Sequence, residues 1–104
     1  MIIFDDCNYS QMINSLLKSS FLNQGQICLA GSRIYVEETI YEKFKKDFIA
    51  KIKELKIGDP FDDKTDQGAI VSIEHLDKIS SYIDKAKDEG GTILTGGDIP
   101  KINN

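Results

Sequence analysis

Apolar residues recur along this chain at helical spacing in three stretches, and at alternate positions in shorter ones. After an apolar start at Ile2, Ile3 and Phe4, Asn8 with Gln11 three residues later has the form of a capping box. Met12, Ile13, Leu16, Leu17 and Phe21 then fall on one side of a predicted helix. Residues 32–36 alternate polar and apolar side chains with β-branched and aromatic members, so Arg33, Ile34, Tyr35 and Val36 are expected to form a strand. Thr39 with Glu42 reads as a second capping box, and Tyr41, Phe44, Phe48, Ile52 and Leu55 continue as the apolar stripe of a long amphipathic helix. Its other face is rich in Lys and Glu, with Glu42 and Lys46 forming a favourable i,i+4 pair.

Gly58, Asp59 and Pro60 are expected to stop that helix, and residues 61–66 to turn. Ser72 caps a third predicted helix carrying Ile73, Leu76, Ile79, Ile83 and Ala86, ended by Gly90 and Gly91 before a short strand at residues 92–95. The expected order is therefore α-β-α-α-β, an α/β chain.

Composition narrows what such a chain can do. With 104 residues, 40% of them hydrophobic, it can build one modest domain with a single core. Its 13 basic and 17 acidic residues give a net charge of −4 without a long block of either sign, which suggests neither nucleic-acid nor anionic-membrane binding. No apolar run approaches the roughly 20 residues of a membrane span, and no secretory pattern opens the chain, so a cytoplasmic location is expected. Cys7 and Cys28 could close a disulfide worth about 3 kcal/mol in an oxidising compartment, but without a secretory signal both are expected reduced. Metal binding is not expected, because the acids of residues 61–66 lack the alternation and glycine of a calcium loop. His75, on the first turn of the third helix, reads as a surface residue. The pairs Gly90-Gly91 and Gly96-Gly97 lack the spacing of a dinucleotide fingerprint and read as turns.

One stretch carries chemistry. Phe21-Leu22-Asn23-Gln24-Gly25-Gln26-Ile27-Cys28-Leu29-Ala30-Gly31-Ser32-Arg33 places a cysteine between two apolar neighbours in a glycine-framed loop, on the connection between the first helix and the first predicted strand. A lone cysteine there would read as a small buried hydrophobe. The surrounding letters change that reading, because Asn, Gly, Gln, Cys, Ala and Arg stand at the spacing of an active-site signature. The stretch resembles the cysteine signature of the aldehyde dehydrogenase superfamily. The resemblance implies that Cys28 is the nucleophile and that its backbone amide helps hold the oxyanion. It also implies that Ile27 and Leu29 shape the substrate pocket and that Asn23, Gly25 and Gln26 support the loop. In the family, a thiohemiacetal passes hydride to NAD or NADP and leaves a thioester that water hydrolyses.

The resemblance extends to Ile2-Ile3-Phe4-Asp5-Asp6, Gly58-Asp59-Pro60 and Gly68-Ala69-Ile70-Val71-Ser72. It covers residues 1–97 and leaves 98–104 as a tail of little signal. The family's general-base glutamate would lie just upstream of Met1. The dinucleotide-binding domain, the oxyanion-hole asparagine and the Glu-x-Phe motif are also outside the matched stretch. The resemblance thus implies a segment of a catalytic domain with an incomplete sheet, inactive on its own, whose cofactor-binding residues are unknown. The alternative is a noncatalytic binding or structural module derived from the family. Expected partners are a small-molecule aldehyde, with self-association or docking to the rest of a dehydrogenase. Residues 68–72 with His75, Leu76, Ser81 and Tyr82 look like the hydroxymuconic or aminomuconic semialdehyde branch.

Overall fold

Asn8 begins the first helix as its sequence predicts: its side-chain Oδ1 accepts the amide of Gln11 at 3.2 Å, satisfying one of the donors that a helix start leaves open. The computed structural model describes residues 1–100, which fall into two compact units, Met1–Leu55 and the residues from Lys56 onward. The part of the expected tail at 101–104 lies outside the described residues.

In the first unit the elements are β1 (Ile2–Ile3), α1 (Tyr9–Phe21), β2 (Tyr35–Val36) and α2 (Glu38–Glu54). β1 and β2 pair in parallel, Ile2 with Tyr35 and Ile3 with Val36. The ladder is extended by the amides of Tyr35 and Glu37, which donate to Met1 O at 2.8 Å and Ile3 O at 3.0 Å. The apolar start of the chain is therefore itself a strand, and the predicted strand at residues 33–36 is confined to Tyr35–Val36.

The core of this unit consists of Ile3, Ile13, Leu16, Phe44 and Phe48, each buried, with Met12, Leu17, Phe21, Ile34 and Ile52 packed around them. Phe48 stacks on Phe44 with ring centroids 5.2 Å apart and meets Phe21 of α1 at 6.3 Å. The predicted apolar stripes of α1 and α2 thus face one another. Tyr41, at the end of the second stripe, stays 44% exposed.

Three details of α2 correct the sequence reading. Its N-cap is Glu37 rather than Thr39, and no side chain caps it. The Glu37 carboxylate instead accepts the Asp5 amide at 2.8 Å, and the Thr39 hydroxyl donates to Asp5 Oδ2 at 3.3 Å, so both residues tie the helix start to the turn after β1. Glu42 pairs with Lys45, not Lys46, at 2.8 Å. The helix also ends at Glu54, ahead of Gly58, with Leu55 as its C-cap.

The second unit contains α3 (Ile73–Asp88), capped by Ser72, whose hydroxyl accepts the His75 amide at 3.2 Å. Gly90 adopts φ +90°, and the Gly91 amide returns to Ala86 O at 2.8 Å. This closes the helix with the left-handed turn that glycine favours. Ahead of α3, acids in and just before the expected turn accept backbone amides, two of them locally and Asp66 from ten residues back. Asp59 accepts the Phe61 amide, Asp62 the Lys64 amide and Asp66 the Lys56 amide, each at 2.9 Å. Ile57 and Gln67 form an isolated parallel bridge.

The strand expected at residues 92–95 does not form. A strand needs a partner ladder, and residues 92–95, which follow the glycine turn that closes α3, pair with no other described residue. The elements therefore run β-α-β-α-α. The α/β expectation stands, with the order corrected at both ends.

Candidate active site

Cys28 lies between α1 and β2, on the connection the sequence predicts, and the end of α1 determines the loop's path. Past Phe21, the Leu22 amide still donates to Lys18 O, but the backbone then leaves helical geometry. Asn23 (φ 51°, ψ 46°) and Gln24 (φ 58°, ψ 24°) enter the left-handed region, followed by Gly25 at φ 72°. Asparagine and glycine tolerate this region, whereas a residue such as Gln24 sits there at a cost of roughly 1–2 kcal/mol. Strain of this kind collects where surrounding structure holds a functional geometry.

The expected supporting residues come together. The Gln26 amide donates to Asn23 O at 3.0 Å, and Asn23 Nδ2 donates back to Gln26 O at 3.3 Å, with Gly25 between them. A Cβ on Gly25 would stand 3.2 Å from Ser20 O, so the loop passes close to the helix end where a side chain would crowd it.

Cys28 and Leu29 occupy the corner of a turn closed by the Ala30 amide on Ile27 O at 2.9 Å. The Cys28 thiol is free and exposed. Among the described residues no backbone hydrogen bond is made by its amide. The flanking residues differ: Ile27 is half-buried and Leu29 is 86% exposed.

Beyond the turn, the chain is fastened back to α1. The Gly31 amide donates to Ser19 O at 3.0 Å, using a carbonyl that the helix end leaves open, and Ser20 Oγ donates to Gly31 O at 3.4 Å. Sequence reasoning missed Ser19 and Ser20, since serine near a helix end carries no signal for a contact eleven or twelve residues away.

Cys7 is a free thiol packed beside the core. The His75 amide is engaged in capping α3. Among the described residues, no three His, Cys, Asp or Glu side chains are grouped to hold a metal ion. None of the described helices is long and apolar enough to cross a membrane.

Comparison with known proteins gives the family. The aldehyde dehydrogenase family model matches residues 1–104. A 2-aminomuconic semialdehyde dehydrogenase of Bos taurus is 45% identical over 98% of this chain and 21% of its own length. A 2-aminomuconic 6-semialdehyde dehydrogenase of Pseudomonas is 39% identical over 97% of this chain and 21% of its own. Among solved structures, a double mutant of betaine aldehyde dehydrogenase from Staphylococcus aureus, in complex with NAD+ and with a BME-modified cysteine, superposes with a TM-score of 0.94 at 43% identity. The match covers 96% of this chain and 20% of that one. The chain thus spans about a fifth of the length of the relatives it matches. A cysteine turn stapled to a helix end, in a backbone that superposes on a solved dehydrogenase and a sequence that the family model matches from end to end, places this chain in the aldehyde dehydrogenase family.

Proposed function

We propose that Cys28 is the nucleophile in the oxidation of an aldehyde to a carboxylic acid. The observation that carries this reading is the free, exposed Cys28 thiol at the corner of a turn closed by the Ala30 amide on Ile27 O. The Cys28 sulfur bonds to the aldehyde carbon, the carbonyl electron pair moves to oxygen, and the Cys28 amide steadies the charge that develops there. Oxidation of this thiohemiacetal yields a thioester, which hydrolysis releases as the acid. Asn23, Gly25 and Gln26 hold the approach to the turn, while Ile27 and Leu29 flank the bound aldehyde.

A nicotinamide dinucleotide, NAD or NADP, is the proposed electron acceptor, supported by the likeness to a dehydrogenase solved with NAD+. The described residues do not fit such a group. Gly90 and Gly91 are engaged in closing α3, and no glycine-framed turn joins a strand to a helix start. No hydride step is assigned to them, and the isolated chain is proposed to be inactive in turnover. Semialdehydes of the muconic type are the proposed substrates, supported by the 45% identity to a 2-aminomuconic semialdehyde dehydrogenase.

Acylation tests the reading without cofactor. With p-nitrophenyl acetate, the Cys28 sulfur should take the acetyl group as p-nitrophenolate leaves, and mass spectrometry should find the acetyl on Cys28, absent in Cys28→Ala. Acetylation that falls equally on Cys7, or fails in the folded chain, would overturn it.

A second reading, a noncatalytic module that self-associates or docks on a dehydrogenase, is favoured by one observation: α3 has no buried residue.

A further inference from the structure

Ser20 occupies the last turn of α1 and reaches both limbs of the cysteine loop. Its carbonyl lies beneath Gly25 on the outgoing limb, close enough that a Cβ there would stand 3.2 Å away. Its hydroxyl donates to Gly31 O at 3.4 Å on the returning limb. The neighbouring Ser19 carbonyl accepts the Gly31 amide at 3.0 Å, so Gly31 is held through both its N–H and its C=O by consecutive residues of one helix. Between the two limbs lies the Cys28 turn, exposed and closed by a single backbone bond from Ala30 to Ile27.

We propose that Ser20 is a positioning residue for Cys28. Its hydroxyl fixes the returning limb at Gly31 so that the Cys28 amide and thiol face the same incoming carbonyl. The proposal rests on the reading of Cys28 as the nucleophile and adds a residue outside the cysteine signature. Ser20 touches no reacting atom, and it acts through Gly31. Without the hydroxyl, Gly31 keeps its bond to Ser19 but loses the restraint on its carbonyl. The turn then rotates about that one bond, and the amide and thiol lose their common aim.

The test uses the reversible first step, which needs no oxidant. Propanal adds to a thiol with formation of the S–C bond and transfer of the thiol proton to the carbonyl oxygen, and the adduct blocks alkylation. Iodoacetamide labelling at Cys28 and Cys7 is followed by mass spectrometry, with and without propanal, in the wild type, Ser20→Ala and Ser20→Thr. Propanal should slow labelling at Cys28 more than at Cys7 in the wild type. Ser20→Ala should weaken that protection at least about threefold with Cys7 unaffected, and Ser20→Thr, which keeps the hydroxyl, should restore it.

Equal protection in Ser20→Ala and wild type, both folded by circular dichroism, would overturn the Ser20 assignment and leave the nucleophile reading standing. Wild-type Cys28 protected no better than Cys7 would overturn the nucleophile reading, and the Ser20 role with it. If Ser20→Ala loses its melting transition, the near-isosteric pair Ser20→Thr and Ser20→Val decides, since they differ by a hydroxyl against a methyl. Equal protection in that pair would overturn the proposal.

Discussion

The Tyr9 hydroxyl at the start of α1 donates to Asp47 Oδ2 on α2 across 2.9 Å, joining the two helices through a polar contact beside their shared core. Lys43 Nζ donates to the same oxygen at 2.9 Å and lies 3.3 Å from the centre of the Tyr9 ring. The Lys43 ammonium, and then the Tyr9 hydroxyl, hold the Asp47 carboxyl below its usual range, while hydrogen bonding to Asp47 raises Lys43. Burial first, and then the bond to Asp47, raises Tyr9.

These shifts set the sign of a pH dependence. A lowered carboxylate contributes stability that is present above its unfolded value, about 3.9, and is lost as pH falls through the folded one. The raised Lys43 and Tyr9 contribute below their ordinary values and lose their contributions only as pH rises through the folded ones. Asp47→Asn should therefore flatten the acid limb of a plot of melting temperature against pH, with the two proteins converging at the lowest pH. Parallel limbs would show that the contact contributes nothing.

Gly25→Ala places a Cβ at φ 72° and 3.2 Å from the Ser20 carbonyl. A cost of about 1–2 kcal/mol is expected, read as a lower midpoint in urea with the slope unchanged. Iodoacetamide labelling of Cys28 should change with it, because the same backbone sets the approach to the turn.

Phe48→Ala removes the ring that touches both Phe44 and Phe21. With Phe48 only 8% exposed, the loss should be about 3–5 kcal/mol, enough to unfold much of the first unit at room temperature. Phe61 is 95% exposed, and Phe61→Ala should stay within about 0.5 kcal/mol of wild type by the same urea titration.

Val71 and Ile73, at the start of α3, are 77% and 64% exposed. Sedimentation velocity should show association that increases with concentration and is weakened by a Val71→Lys, Ile73→Lys double substitution. A monodisperse monomer at every concentration would remove the case for an associating module.

What was legible in the sequence follows the range of the forces involved. Asn8 and Ser72 act on amides three residues away, so their caps could be read directly. Thr39 was misread because Asp5, a residue far off in sequence, takes its hydroxyl, and Glu37 is likewise drawn away from capping. Residues 92–95 have strand composition, but a ladder depends on a partner that composition cannot supply. At the candidate site, the position of Cys28 on the connection between α1 and β2 was legible, because the flanking helix and strand are read from local patterns. The left-handed Gln24 was not, since glutamine has no preference for that geometry, and neither was the attachment of Gly31 to Ser19 and Ser20, which forms only once the chain has doubled back.

The parallel pairing of β1 with β2 also bears on the order in which the chain folds. Ile2 meets Tyr35 and Ile3 meets Val36 only after all of α1 and the whole cysteine loop have been laid down between them. Parallel strands cannot be joined by a tight hairpin, and contacts so distant along the chain form late because the intervening segment must first be closed. The Cys28 turn is enclosed by that closure. The contacts that shape the turn itself, Ala30 on Ile27 and Gly31 on Ser19 and Ser20, span at most twelve residues, so the Cys28 turn is expected to form on α1 first and to be fixed against the sheet only when the two strands meet.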